Sequence, residues 1–102
     1  MIHVNVVYKN EKIIELSASG HALFAEAGKD IVCAGVSSVM TGLLNAIDLK
    51  TNYEAWMDQE TMSIRTSEVT HMGQIICETG LIQLKTIQEQ FPNNIKIREV
   101  KQ

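Results

Sequence analysis

The period of the hydrophobic pattern changes along this chain, and that change constrains the fold more than any other feature. In residues 2–8 the apolar side chains Ile2, Val4 and Val6 alternate with polar ones, whereas in residues 31–49 and 71–91 apolar side chains recur at steps of three and four. Alternation is typical of a strand with one buried face, and steps of three and four are typical of an amphipathic helix. The pattern therefore predicts strands interrupted by two helices.

The remaining segments complete a β-β-α-β-β-α-β order. Residues 12–19 alternate again and predict a hairpin with the first strand. Short strands are predicted at 53–57 and 62–68 around the polar turn 58–60, and a last strand at 95–100. We expect one domain spanning 1–102, of the α+β class, in which both helices cover one face of a mostly antiparallel five-stranded sheet.

Two glycines lie on the apolar face of the second predicted helix. Gly73 and Gly80 share this face with Ile76 and Leu84. A glycine inside a helix costs roughly 1 kcal/mol relative to alanine. Two on one face therefore predict that a neighbouring element approaches the helix closely.

Charge and composition narrow the class of partner. The formal net charge of −3 argues against nucleic acid as a direct partner and fits a basic protein better. The sequence shows no apolar run of about 18 residues and no signal-peptide pattern, so we expect no membrane span and a cytoplasmic location. Two cysteines do not make a disulfide scaffold. A chain of 102 residues has a modest core, which an oligomer would help to stabilise.

Cys33 is the strongest candidate for a chemically active residue. It lies in the first turn of the first predicted helix, after a proposed N-cap at Asp30. The unpaired amides and the partial positive charge of a helix start stabilise a thiolate and could hold an oxyanion. The alternative is an inert core thiol, because cysteine is often buried and the neighbours of Cys33 are apolar.

His21 is the candidate base. It follows Gly20, where the second predicted strand ends, and precedes Cys33 by twelve residues. A cysteine protease needs an imidazole within about 3 Å of the sulfur. The two side chains can meet if this strand ends beside the start of the helix, and the hypothesis also needs a thiol that a peptide can reach. The alternative is a solvated loop histidine.

Two more polar residues could support the pair. Asp30 could cap the helix, orient His21, or do both. Ser37 follows Cys33 by one turn on the same helix face, so it could hydrogen-bond the thiol, orient substrate, or simply fill a packing contact.

The connection between strand and helix is a candidate substrate loop. The segment 22–29 carries Ala22, Phe24 and Gly28 and is too long for a tight turn. It is either a mobile flap over the site or an ordinary surface loop. No CxxC or HxxxH spacing supports a zinc site, and we expect no metal and no cofactor. Cys77, on the glycine face of the second helix, is predicted to be core.

Residues 20–38, GHALFAEAGKDIVCAGVSS, resemble the signature of the ribosomal-processing cysteine protease family of Firmicutes and related bacteria. The matching pieces are GHA at 20–22, G-x-D at 28–30 and IVCAGVS at 31–37, with the spacing of the family. The rest of the chain is similar more loosely. Position 35 is Gly where the family has Ala, a difference that removes no chemical group.

This resemblance implies both a mechanism and a substrate. It implies a dyad of His21 as base and Cys33 as nucleophile in a small homodimeric α+β fold. It also implies removal of a short N-terminal extension from a basic large-subunit ribosomal protein, in support of ribosome assembly. Cleavage would follow an aromatic residue, so an apolar pocket is expected near the substrate loop.

A second class of function is compatible with the same residues. A non-enzymatic, ribosome-associated binding module could hold a basic partner through its acidic surface, and Cys33 would then be buried and unreactive. A thiol oxidoreductase is a third possibility, although the sequence contains no CxxC motif.

Overall fold

The computed structural model describes residues 1–20 and 31–102. In these ranges, five strands and two helices follow the predicted order, and the α+β class is confirmed. The elements are β1 (Ile2–Lys9), β2 (Lys12–Ser19), α1 (Ile31–Lys50), β3 (Glu54–Met57), β4 (Thr61–Arg65), α2 (His71–Gln90) and β5 (Ile95–Lys101).

The strands form one mixed sheet in the order β3-β4-β2-β1-β5. The pairs β1–β2, β2–β4 and β3–β4 are antiparallel, as predicted for most of the sheet. The edge strand β5 is instead parallel to β1, with Ile2 opposite Ile95. The first and last strands of the chain are therefore neighbours.

The core lies between one face of the sheet and the two helices. Along β1, Ile2, Val4 and Val6 are fully buried, whereas His3 and Asn5 on the opposite face are exposed. This alternation buries the side chains on one face of the strand and leaves those on the other face exposed to solvent. Helix side chains complete the core: Val36, Met40 and Ile47 of α1, and Cys77 and Leu84 of α2.

The two helices run antiparallel and approach closely at glycine. Gly35 faces Ile87, and Leu43 faces Gly80 further along. A Cβ atom at Gly80 would overlap the Leu43 side chain, and one at Gly73 would overlap the Tyr53 ring. The predicted close approach to the glycine face of α2 is therefore confirmed.

A buried amide joins α2 to a bulge in β2. The pairing of β1 with β2 shifts register after Val7, so that Ile14 is an extra residue. Beside it, the Ile13 N–H donates to Gln74 Oε1 at 2.8 Å, and Gln74 Nε2 donates to the Ile13 carbonyl at 2.7 Å. The same Nε2 donates to the Tyr53 hydroxyl at 3.1 Å. Gln74 thus takes the place of a strand neighbour where the ladder is interrupted.

We predict opposite effects of alanine at two helix glycines. Gly80→Ala forces its new methyl group into Leu43 and should be net destabilising, since overpacking costs about 1–3 kcal/mol. Gly35→Ala is the matched control, because its Cβ would lie 3.4 Å from Ile87 Cδ1, an ordinary contact, and alanine favours the helix by about 1 kcal/mol. Urea unfolding of both variants measures the difference. A Gly80→Ala variant as stable as Gly35→Ala would contradict the packing described here.

Candidate active site

Four strand ends meet at one edge of the sheet. The pairings His3↔Ser19 and Ser19↔Thr61 place the end of β2 beside the starts of β1 and β4, and β5 begins opposite Ile2. We call this end of the sheet, where β2 ends and β1, β4 and β5 begin, the Gly20 edge, because Gly20 directly follows β2.

The start of α1 lies at the same edge. Helix α2 ends at Gln90, and a short link brings the chain to the first residue of β5 at the Gly20 edge. Gly35, in the second turn of α1, faces Ile87 near that end of α2. Gly20 and Ile31 therefore lie toward the same edge. The distance between His21 and Cys33 stays a prediction, because His21 lies outside the described residues.

Position 20 accepts glycine alone without strain. Gly20 has φ +137°, a region that side chains with a Cβ rarely adopt. An added Cβ would lie 2.6 Å from the Met1 carbonyl oxygen and 3.1 Å from Ile2 Cα. The backbone conformation thus requires glycine as the first residue of the GHA motif, at the point where the chain leaves the sheet.

Cys33 occupies the first turn of α1, as predicted. It is the third residue of a 20-residue helix, where the helix dipole places partial positive charge. Its side chain is buried, with 4% of the residue exposed, which differs from the reachable thiol that the sequence hypothesis needs. Ser37, one turn later, is half-buried.

Cys77 is a core thiol, as predicted. It is 1% exposed and belongs to the hydrophobic core. Burial, with a smaller effect of the Glu78 carboxylate, raises the pKa of the Cys77 thiol to about 11. A protonated, covered thiol is a poor nucleophile.

Several predicted site residues lie outside the described residues. They are His21, Ala22, Phe24, Gly28 and Asp30. Their roles stay predictions. Within residues 1–20 and 31–102, no group of three or more His, Cys, Asp or Glu side chains is placed to hold a metal ion.

An acidic turn lies beside Gly20, at the Gly20 edge. The sequence predicts the turn at 58–60 but not that it neighbours the site. Ser19, Gly20, Glu60 and Thr61 line a cavity of about 300 Å³. Asp58 Oδ1 accepts hydrogen bonds from the Glu60 and Thr61 amides, both at 2.8 Å, which holds the turn. Its position depends on the pairing of β4 with β2, a long-range contact that no local pattern reveals.

Comparison with known sequences identifies close relatives over nearly the whole chain. The family described as cysteine protease Prp matches residues 1–96. The ribosomal processing cysteine protease Prp of Staphylococcus aureus strain Mu50 is 34% identical over 103 residues, covering 95% of this chain and 97% of that protein.

Two crystal structures of the essential ribosomal processing protease Prp from S. aureus share the fold. One, in complex with a covalently linked product peptide, is 34% identical with a TM-score of 0.84 and covers 97% of this chain and 99% of that one. The other, in complex with a substrate peptide, is 33% identical with a TM-score of 0.77 and the same coverage.

The burial of Cys77 leads to a labelling prediction. In a Cys33→Ser variant, Cys77 is the remaining thiol, and iodoacetamide at pH 8 should modify it slowly in the native protein and fully in urea. Labelling of the native protein is slow because core side chains cover Cys77 and because its thiol pKa is raised. Intact-mass spectrometry over time measures both rates. Rapid labelling of the native variant would show that Cys77 is accessible.

Proposed function

We propose a substrate and a catalytic mechanism for this chain, which belongs to the cysteine protease Prp family and is therefore a cysteine protease. The chain is an endopeptidase that removes the N-terminal extension of a large-subunit ribosomal protein and so supports ribosome assembly. The observation that carries this proposal is the position of Cys33 in the first turn of α1, at the edge where Gly20 leads into His21.

The first half of the reaction forms an acyl-enzyme. His21 takes the thiol proton, and the Cys33 sulfur attacks the scissile carbonyl carbon. As the C–S bond forms, an electron pair moves to the carbonyl oxygen, and amides at the start of α1, including that of Cys33, hold the oxyanion. His21 then gives its proton to the leaving amine as the C–N bond breaks.

The second half returns the free enzyme. Water, deprotonated by His21, attacks the thioester, and the C–S bond breaks to release the carboxylate product and regenerate the thiol. Asp30 caps the helix, orients His21, or does both. Ser37 hydrogen-bonds the thiol, orients the substrate, or fills a packing contact from the next turn. No cofactor is needed, because thiol, imidazole and water supply every atom transferred.

Substrate selection rests on charge and on an aromatic residue. A basic ribosomal protein fits a chain of net charge −3, and Asp58 and Glu60 add carboxylates at the Gly20 edge. Cleavage follows an aromatic residue, and Ala22, Phe24 and Gly28 form the substrate loop. The S. aureus relative was crystallised with a substrate peptide, which supports a peptide-binding groove at the corresponding place.

The cellular setting follows from the same chemistry. The enzyme works in the cytoplasm, where the Cys33 thiol stays reduced and new ribosomal proteins are found. It acts as a homodimer, and it does not bind nucleic acid directly.

Removal of either dyad member should abolish cleavage without unfolding the chain. Cys33→Ala and His21→Ala should each lower the cleavage rate by about 10³-fold or more, because the two residues act as one unit. Cys77→Ala is the matched control and should retain activity. The assay incubates each variant with the extended ribosomal protein and identifies products by mass spectrometry, with circular dichroism to verify folding. Full cleavage by Cys33→Ala or His21→Ala would refute the dyad.

The reactivity of Cys33 distinguishes a protease from a binding module. At pH 6, iodoacetamide should label Cys33 much faster than Cys77, because a nucleophile is activated by an adjacent base, whereas Cys77 is a covered core thiol with a raised pKa. His21→Ala should slow the labelling of Cys33 and leave that of Cys77 unchanged. Peptide mapping by mass spectrometry gives both rates. Equal, slow labelling of the two thiols is the result expected of an inert Cys33.

A further inference from the structure

The last strand of the chain, β5, has one side without a partner strand. It lies at the end of the strand order and pairs with β1 alone. It is seven residues long, whereas β3 at the opposite edge has four. An unpaired strand edge presents a row of N–H and C=O groups to which another strand can add. Within residues 1–20 and 31–102, no strand covers this row.

The hydrogen bonds at the two ends of β5 show which backbone groups form the row. The Ile2 N–H donates to the Asn94 carbonyl at 2.9 Å, and the Gln102 N–H donates to the Tyr8 carbonyl at 2.8 Å. Successive residues of a strand turn their backbone groups to opposite sides, so the even-numbered residues of β5 bond to β1. The N–H and C=O groups on the open side belong to Ile95, Ile97, Glu99 and Lys101.

A largely apolar groove follows this edge on the helix side of the sheet. It lies between β5 and the second half of α2 and has a volume of about 680 Å³. Ile82, Pro92 and Ile97 supply its apolar surface, and Ile82 is 65% exposed. In a strand added to β5, every second side chain would point to this side of the sheet. The groove therefore suits apolar side chains at those positions.

The charges beside the groove do not favour a charged side chain inside it. Glu99 accepts a hydrogen bond from the Tyr8 hydroxyl at 2.6 Å and forms an ion pair with Lys85 at 3.2 Å. The charge of Lys85 is thus offset within the molecule. Glu89 also lines the groove, so a carboxylate pointing into it would meet a like charge.

The other side of the same edge is basic. Lys96 and Arg98 lie opposite His3 and Asn5 on the face of the sheet turned away from the helices, and both are exposed. Among the residues that the structure describes, neither cation forms an ion pair. In a strand added to β5, the side chains on this face would lie beside Lys96 and Arg98. Acidic side chains fit there, because opposite charges on neighbouring strands attract.

We propose that β5 binds an extended segment of another protein in which acidic and apolar residues alternate. The segment adds to the sheet as a new edge strand, with its acidic side chains beside Lys96 and Arg98 and its apolar side chains in the groove. Backbone hydrogen bonds give such a complex its affinity, and alternate side chains give it specificity. The proposal goes beyond the proposed function, because the substrate proposed there is basic and Lys96 and Arg98 would repel it.

Other occupants fit this edge less well. A second copy of β5 would bring the same cations, and like charges on neighbouring strands are destabilising. Nucleic acid is attracted by Lys and Arg but has no row of N–H and C=O groups that could extend the sheet. Basic residues on an edge strand also protect it against unwanted pairing. An acidic strand is the kind that Lys96 and Arg98 attract.

Two synthetic heptapeptides test the proposal with the full chain. The probe alternates glutamate and valine, and the matched control alternates lysine and valine. Isothermal titration calorimetry should give the glutamate peptide a Kd about 10-fold lower or better, because its charges meet opposite charges on β5. On binding, the Ile97 and Glu99 amides should gain protection from hydrogen exchange, since they face the added strand. The Arg98 amide faces β1 and should change little.

Charge reversal on β5 should weaken the binding of the glutamate peptide. The double variant Lys96→Glu and Arg98→Glu should raise its Kd by about 10-fold or more, because two attractions become repulsions. The double variant Lys12→Glu and Lys50→Glu is the matched control, because it changes the net charge equally at the start of β2 and the end of α1. It should leave the Kd within about 2-fold of the unaltered value, since exposed charges far apart are screened. Circular dichroism checks that each variant is folded.

Four outcomes would overturn the proposal: no binding of either peptide, equal affinity for both, an unchanged Kd in the folded Lys96→Glu and Arg98→Glu double variant, or binding that leaves the Ile97 and Glu99 amides unprotected. The first outcome would show that Lys96 and Arg98 keep the edge closed to added strands. None of these measurements involves cleavage, so the failure of this proposal would leave the proposed function standing, and the reverse holds too.

Discussion

The close contact between α1 and α2 at Gly80 governs the architecture of this protein. Leu43 fills the space that a side chain at position 80 would take, and Gly35 meets Ile87 at an ordinary distance two turns away. These contacts set the height and direction of α1 over the sheet. Because α1 starts at the Gly20 edge, the same contacts decide where Cys33 lies relative to the end of β2. The absence of a side chain at Gly80, in the middle of α2, therefore helps to position Cys33 at the start of α1.

Much of the fold is visible in local patterns, because strands and helices bury one face each. Alternation in residues 2–8 and the three-and-four steps from Val32 to Ile47 predict β1 and α1 to within two residues. The parallel pairing of β5 with β1 could not be predicted in this way, since it depends on the path of α2 across the sheet. The bonds of Gln74 to Ile13 were equally hidden, because they join residues 61 apart in sequence.

The parts of the candidate site that were predictable are those set by local backbone structure. A cysteine just inside a helix start and a glycine where a strand ends are local signals, and both Cys33 and Gly20 lie where those signals place them. The burial of Cys33 and the presence of the Asp58 turn at the same edge were not predictable. Each results from packing between segments distant in sequence. Membership of the protease family supplies the chemical meaning that geometry alone leaves open.

The pairing of the first strand with the last affects how the chain is made in the cell. Every backbone bond between β1 and β5 closes a loop of nearly the whole polypeptide, so this half of the sheet forms late. At about 5–20 residues per second, β1 waits on the order of 5–20 s for β5 to be synthesised. This half of the sheet therefore cannot form until β5 has been synthesised, and for that interval one side of β1 is an open edge that can pair with another chain. A protein proposed to mature ribosomes thus depends on the ribosome having synthesised β5 before its sheet is complete.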